Sequence, residues 1–354
     1  HLTLDIHGKL TDDILNFTAR WVDKRKTLSS LTINTWEQLT KEEKTLFKEL
    51  KLDKNPAVTL NVRDVPAPSE ESRDDEFVCV DDHESLIALF KEAKNTGKQS
   101  LNATINIDSS DDYFSPEPEV GLDHVLASNI TLNALSLAFN LDDNTSDSSW
   151  FLRLRDGWAR HTSLKNLTLV IENHSWAFGD EVDIGWVRNT SVENLFVTVI
   201  NHDDLLVRRI WFGLADNKSL KNVTLTINNF GSLTFKWENC GLVNKSLNDF
   251  SLTINNYGKI LSGIPGFVRR FQFLTTFNVT LNLCGEGDND TLDCFLQEAM
   301  ESESLKTLRL KVNDRQITNG SCGYDFSKFV VISPSLSLIE LTFSLYGGEE
   351  SSRK

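Results

Sequence analysis

The sequence predicts an α/β repeat solenoid, and three observations predict it. Residues 163–173, S-L-K-N-L-T-L-V-I-E-N, place Leu164, Leu167, Leu169 and Ile171 in a three-residue step followed by strict alternation, the pattern of a loop entering a half-buried strand. The phrase returns at Val192, Leu195, Val197 and Val199, at Leu220, Val223, Leu225 and Ile227, and at Leu247, Phe250, Leu252 and Ile254. Between the phrases, Gly157-Trp158-Ala159, Gly185-Trp186-Val187, Gly213-Leu214-Ala215 and Gly241-Leu242-Val243 recur at 28-residue intervals, and Gly266-Phe267-Val268 follows at a shorter step. A unit with one buried strand edge and one buried helix face cannot cover both alone, so the units must stack and join their strands into one parallel sheet.

Sliding the pattern from Leu167 gives anchors at Leu2, Leu31, Val58, Ala103, Leu135, Leu167, Leu195, Val223, Phe250, Phe277, Leu308 and Ile339, about twelve units across residues 1–354. Leu2 opens in the middle of a strand phrase with no unit before it to cover its apolar layer, which predicts an array truncated at its N-terminus. Residues 14–22 and 85–93 carry apolar side chains three and four apart and predict amphipathic helices. The longest step, from Val58 to Ala103, contains P-A-P-S-E-E-S-R-D-D-E at residues 66–76, a proline-flanked acidic stretch expected as a solvated loop inserted into one repeat. The recurring glycine is expected to let each helix approach the sheet or to end a turn. Residues 336–345 complete a last strand, and residues 346–354 form a polar tail.

Composition narrows the partners. A net charge of -15 disfavours a nucleic-acid backbone or an anionic membrane surface, both of which reward clustered Lys and Arg. No run reaches the eighteen apolar residues of a membrane span. The five cysteines, Cys79, Cys240, Cys284, Cys294 and Cys322, are odd in number and form no C-x-x-C pair, which points to a reducing compartment. Against this stand thirteen N-x-S/T triplets where composition alone gives roughly five. Copying a unit that contains N-K-S-L or N-L-T-L copies the triplet too. If the chain is instead secreted, Asn166, Asn222 and Asn278 are the expected glycan carriers, although they fall at strand starts where a glycan would crowd the sheet face.

Catalytic motifs are missing from the sequence. No H-E-x-x-H, G-x-S-x-G elbow, phosphate loop or dinucleotide fingerprint occurs, so neither enzymatic activity nor a cofactor is expected. His174 and His202 follow strand-ending Asn residues in adjacent repeats and read better as turn imidazoles than as a metal pair. Residues 108–112 and the acidic group Asp142, Asp143, Asn144 and Asp147 lack the ligand order of a calcium loop, so no metal is expected. Asn173, Asn201, Asn228, Asn255, Asn282 and Asn313 close successive strands and predict a ladder of amides satisfying the backbone where the chain turns away.

The side chains alternating with the buried ones remain for binding. One row holds Thr168, Phe196, Thr224, Ser251, Asn278, Arg309 and Glu340. The next holds Val170, Thr198, Thr226, Thr253, Thr280, Lys311 and Thr342. The face is rich in hydroxyls and uncharged except near its C-terminal end, where Lys306, Arg309 and Lys311 stand.

Phrases such as S-L-K-N-L-T-L-V-I-E-N and S-L-K-N-V-T-L-T-I-N-N resemble leucine-rich repeats of the longer intracellular type. Unit length and the missing cysteine caps resemble the C-terminal repeat region of NOD-like (NACHT) innate immune receptors. The strand phrase departs from the pattern by an extra apolar residue, as at Ile171. The resemblance implies a horseshoe with parallel strands on the concave face and helices outside, in the cytoplasm. It further implies recognition of a protein or microbial ligand and restraint of a nucleotide-binding module elsewhere in the full-length chain. The different class left open is a secreted, N-glycosylated adhesion or receptor ectodomain.

Overall fold

A computed structural model of the chain describes residues 2–6, 31–35, 41–50, 58–62, 78–80, 83–107, 121–141, 149–173, 188–201, 210, 213–214, 217–234, 244–257, 259–262, 271, 273–283, 302–314 and 336–345. Strands β1 (Leu2–Ile6), β2 (Leu31–Thr35) and β3 (Val58–Val62) form a parallel three-stranded sheet, with α1 (Lys41–Glu49) between the last two. A second, ten-stranded parallel sheet runs through β4 (Val78–Val80), β5 (Ser100–Ile107), β6 (Ala134–Leu141), β7 (Asn166–Asn173), β8 (Asn194–Asn201) and β9 (Asn222–Asn229). It continues through β11 (Asp249–Asn256), β13 (Thr276–Leu283), β14 (Thr307–Asp314) and β15 (Leu338–Leu345). Between these, β10 (Ser232–Thr234) and β12 (Lys259–Ser262) make a small parallel pair of their own. Strand β1 lies alongside β15. The long sheet is α/β and repetitive, each strand pairing with the next copy along the chain.

The register follows the apolar phrase. Leu135, Leu167, Leu195, Val223, Phe250, Phe277, Leu308 and Ile339 form one row across eight strands. The row is specified because a one-residue slip would turn every Leu of a strand to water. From Leu167 to Leu308 these side chains are at most 3% exposed. At the N-terminal end the expected anchor shifts: Leu101, and not Ala103, pairs with Leu135, while Ala103 sits one inward row later, opposite Leu137. The long step between Val58 and Ala103 also holds more than an insertion. It contains β4 and the helix α2 (His83–Thr96), a short repeat whose three-residue strand is too brief to display the alternating signal. Helix α2 covers the expected 85–93 segment. It closes on Gly97, whose φ of +68° lets Lys98 N donate to Ala93 O at 2.9 Å. The 14–22 segment, the 66–76 loop and the 346–354 tail lie outside the described residues.

Two more helices are described, α3 (Leu122–Ala127) and α4 (Ser149–Arg160), and they pack on each other. Gly157 explains the approach. A Cβ there would meet Leu126 Cβ and Cδ2 at 3.1 Å and Asp123 Cα at 3.2 Å, so the glycine admits the neighbouring helix, where the sheet was the expected partner. Trp158 follows it into the interior and is fully buried, as are Phe90 and Phe271, while Phe139 is 1% exposed. Further along, Phe250 stacks on Phe277 with centroids 5.8 Å apart and meets Phe271 at 6.0 Å, extending the core between sheet and back.

Candidate recognition face

The outward positions of the long sheet pair in unbroken register from β7 to β15. Thr168, Phe196, Thr224, Ser251, Asn278, Arg309 and Glu340 are consecutive partners, and so are Val170, Thr198, Thr226, Thr253, Thr280, Lys311 and Thr342. Most are half-buried by their neighbours, as expected for rows ~4.8 Å apart. Phe196 is the apolar exception: 45% exposed, it stands between Thr168 and Thr224 as an aromatic side chain in a polar row. Asn278 Nδ2 donates to Ser251 Oγ at 3.0 Å, and Arg309 Nη1 approaches Asn278 Oδ1 at 3.4 Å. Lys306, Arg309 and Lys311 are exposed on or beside β14, with Glu340 opposite Arg309.

At the strand entries a row of amides runs across the sheet. Asn194 Nδ2 donates to Asn166 Oδ1 at 2.8 Å, and Asn166 Nδ2 to Asn133 Oδ1 at 3.4 Å. Asn222 Nδ2 meets Asn194 Oδ1 at 2.6 Å, and turned over, the same amide would donate to Asp249 Oδ2 at 3.0 Å. Beside them Glu193 accepts from Lys165 Nζ at 2.8 Å and Lys221 Nζ at 2.6 Å. Hydrogen bonds from Lys165 and then Lys221 hold its carboxyl down at about 2.

The predicted strand-end asparagine row is two rows offset by one residue. Asn173, Asn201, Asn229 and Asn256 pair in one register, and Asn228, Asn255, Asn282 and Asn313 in the next. In the second row Asn255 Nδ2 donates to Asn228 Oδ1 at 2.6 Å, Asn282 to Asn255 at 2.5 Å, and Asn313 to Asn282. In the first, Asn229 and Asn256 are fully buried and joined at 2.7 Å. The two rows exist because β9 and β11 each end in Asn-Asn and serve both. Just beyond, Phe230 and Tyr257 stack at 4.9 Å and are 49% and 54% exposed on the rim.

A third asparagine row escaped the sequence reading. Asn189, Asn217 and Asn244 are at most 2% exposed and lie three residues before the inward Val192, Leu220 and Leu247. Each Oδ1 accepts the backbone N–H groups of the second and third residues after it, at 2.7–2.8 Å. Each Nδ2 reaches back one repeat: Asn189 to His161 O at 2.9 Å, Asn217 to Asn189 O at 3.1 Å, Asn244 to Asn217 O at 2.8 Å. The serine two places on does likewise, Ser191 Oγ donating to His161 O and Ser219 Oγ to Asn189 O. N-x-S is therefore a splice between repeats, and the surplus of triplets was the visible signal. Asn129 begins the row, its Oδ1 accepting Leu132 N at 3.3 Å. Of the three expected glycan carriers, Asn166 and Asn278 are half-buried and Asn222 is exposed.

His174 and His202, both acidic groups weighed for calcium, and every cysteine except the exposed Cys79 lie outside the described residues. Among the described residues no group of three His, Cys, Asp or Glu could hold a metal, and no helix is long and apolar enough to cross a membrane. No family model, curated protein or solved structure matches the chain.

Proposed function

We propose that this chain is a recognition module of the leucine-rich repeat type, binding a protein or microbial ligand on the exposed face of its long sheet. The observation that supports it is the outward double row headed by Thr168 and Val170, in register over seven strands, with Phe196 exposed on β8, the second of them. An exposed aromatic within a polar surround, which a partner can cover, is what an interface anchor requires. On this reading the strands line the concave side of a horseshoe. The array serves as the sensing and autoinhibitory region of a cytoplasmic NOD-like receptor, acting on a nucleotide-binding module outside this chain. Against a secreted ectodomain weigh Asn129, Asn189, Asn217 and Asn244, which open N-x-S/T triplets but whose own side chains are at most 2% exposed.

Photo-crosslinking from the two faces tests the proposal. A crosslinker at Thr226 is expected to give one discrete adduct in cells, weakened by Phe196→Ala, whereas one at the exposed helix residue Lys91 gives none. Equal adducts from both positions would overturn it.

A further inference from the structure

Among the described residues, the position three before the inward Leu or Val at a strand entry holds a buried asparagine in four repeats, Phe271 and Ser302 in two more, and a histidine in one. His161 occupies the position of Asn129, Asn189, Asn217 and Asn244, is 2% exposed, and its Nδ1 accepts Ser163 N at 3.3 Å and Leu164 N at 3.1 Å. The carbonyl of the same residue anchors the next repeat through Asn189 Nδ2 and Ser191 Oγ, both at 2.9 Å. An amide oxygen keeps its lone pairs at any physiological pH. An imidazole nitrogen loses its one lone pair when it takes a proton.

We propose that His161 is an acid-operated joint in the array: protonation of Nδ1 withdraws the acceptor from Ser163 and Leu164 N–H, opens the turn into β7, and uncouples β6 from β7 and β8. Its surroundings favour the neutral ring. Among the described side chains, Asp123 and His124 on α3, Asp156 and Arg160 on α4, and Lys165 and Arg188 on the flanking turns are the charged or titratable groups of the packed elements. All are exposed except Asp123, which is half-buried and paired with Arg160. None stands inside the turn to stabilise an imidazolium. Burial lowers the ring's pKa from 6.5 to about 4, against a smaller opposing effect of the nearby Asn129 backbone. Nε2 closes no hydrogen bond among the described residues.

The sign follows from linkage. The unfolded or opened chain binds the proton more readily, so the joint is at full strength above pH ~6.5 and weakens as pH falls towards ~4. The span from 6.5 to about 4 sets a ceiling of roughly 300-fold on the change in the opening equilibrium. Ligand binding across β6–β8 would use this joint only if the recognition reading holds. The opening itself is measured without ligand, so the two can fail separately.

The experiment is urea unfolding of the wild-type chain and of His161→Asn from pH 7.5 to 4.5, with histidine-selective NMR titration of the wild type. The asparagine variant restores the sister repeats' acceptor. Its stability relative to wild type is expected to rise by a factor of tens or more over this range, with the His161 ring titrating well below 6.5. Parallel pH profiles, or a His161 ring titrating near 6.5, would overturn the proposal. Should the variant fail to fold, the ring titration alone decides it.

Discussion

Asn189 reaches back 28 residues to donate its amide to the carbonyl oxygen of His161 at 2.9 Å. The same side chain accepts two N–H groups of its own turn, at Ser191 and Val192. One residue thus closes a turn and joins two repeats, which is why asparagine, with a donor and an acceptor on one rigid amide, is chosen here.

Replacing such a residue is costly. Asn217→Ala strips the acceptor from Ser219 N and Leu220 N and one of two donors from Asn189 O, in a largely buried turn. An unsatisfied buried group costs about 1–3 kcal/mol, so a loss of about 3 kcal/mol is expected in urea unfolding. A loss under about 1 kcal/mol would mean that water reaches the turn.

Gly157→Ala sets helix propensity against packing. Alanine gains about 1 kcal/mol in a helix interior, but the new methyl meets Asp123 Cα and Leu126 Cβ, atoms that cannot swing aside. With overpacking at about 1–3 kcal/mol, the net expectation is a lower Tm by calorimetry.

Glu193 gives a pH prediction of opposite origin to that of His161. Its pKa is lowered, so its contribution is present above pH 4.5 and lost as the pH falls from 4.5 towards about 2. Because the pair is exposed, the effect on stability is small and screened by salt. The check is a carboxyl titration by NMR, with a midpoint that rises towards 4.5 in Lys165→Ala, Lys221→Ala protein.

The triplets make a prediction for secretory expression. Folded protein recovered from such cells is expected to carry no glycan at Asn129, Asn189, Asn217 or Asn244, as read by peptide mapping. A glycan at any of these in folded protein would contradict the buried splice.

The eight-residue strands β6 to β9, β11 and β13 to β15 were legible because each repeats the same alternation, whereas the short β10 and β12 were not read from the sequence. Strand β4 was not: three residues of Val-Cys-Val carry no period. On the face, both outward rows follow from the two-residue repeat alone, and Phe196 was visible as the aromatic among hydroxyls. The offset between the strand-end asparagine rows was not visible. It is a matter of register, and Asn228-Asn229 and Asn255-Asn256 fit either row by sequence. The buried N-x-S turn was hidden for a different reason. The triplet has a well-known surface meaning, and only burial reveals the structural one. His161 breaks that triplet, and only the 28-residue step and the shared Thr-Ser that follows, at 162–163 and 190–191, mark it as the sister of Asn189.

Once a partner is captured from the Thr226 position, its affinity for Phe196→Ala and Lys91→Ala protein tests the central claim most directly. An aromatic covered by the partner is expected to account for more than about 1 kcal/mol, hence a Kd raised roughly fivefold or more by Phe196→Ala, with Lys91→Ala unchanged and both variants as stable as wild type. An unchanged Kd for Phe196→Ala, with a loss at Lys91, would place recognition on the helical side and contradict the account.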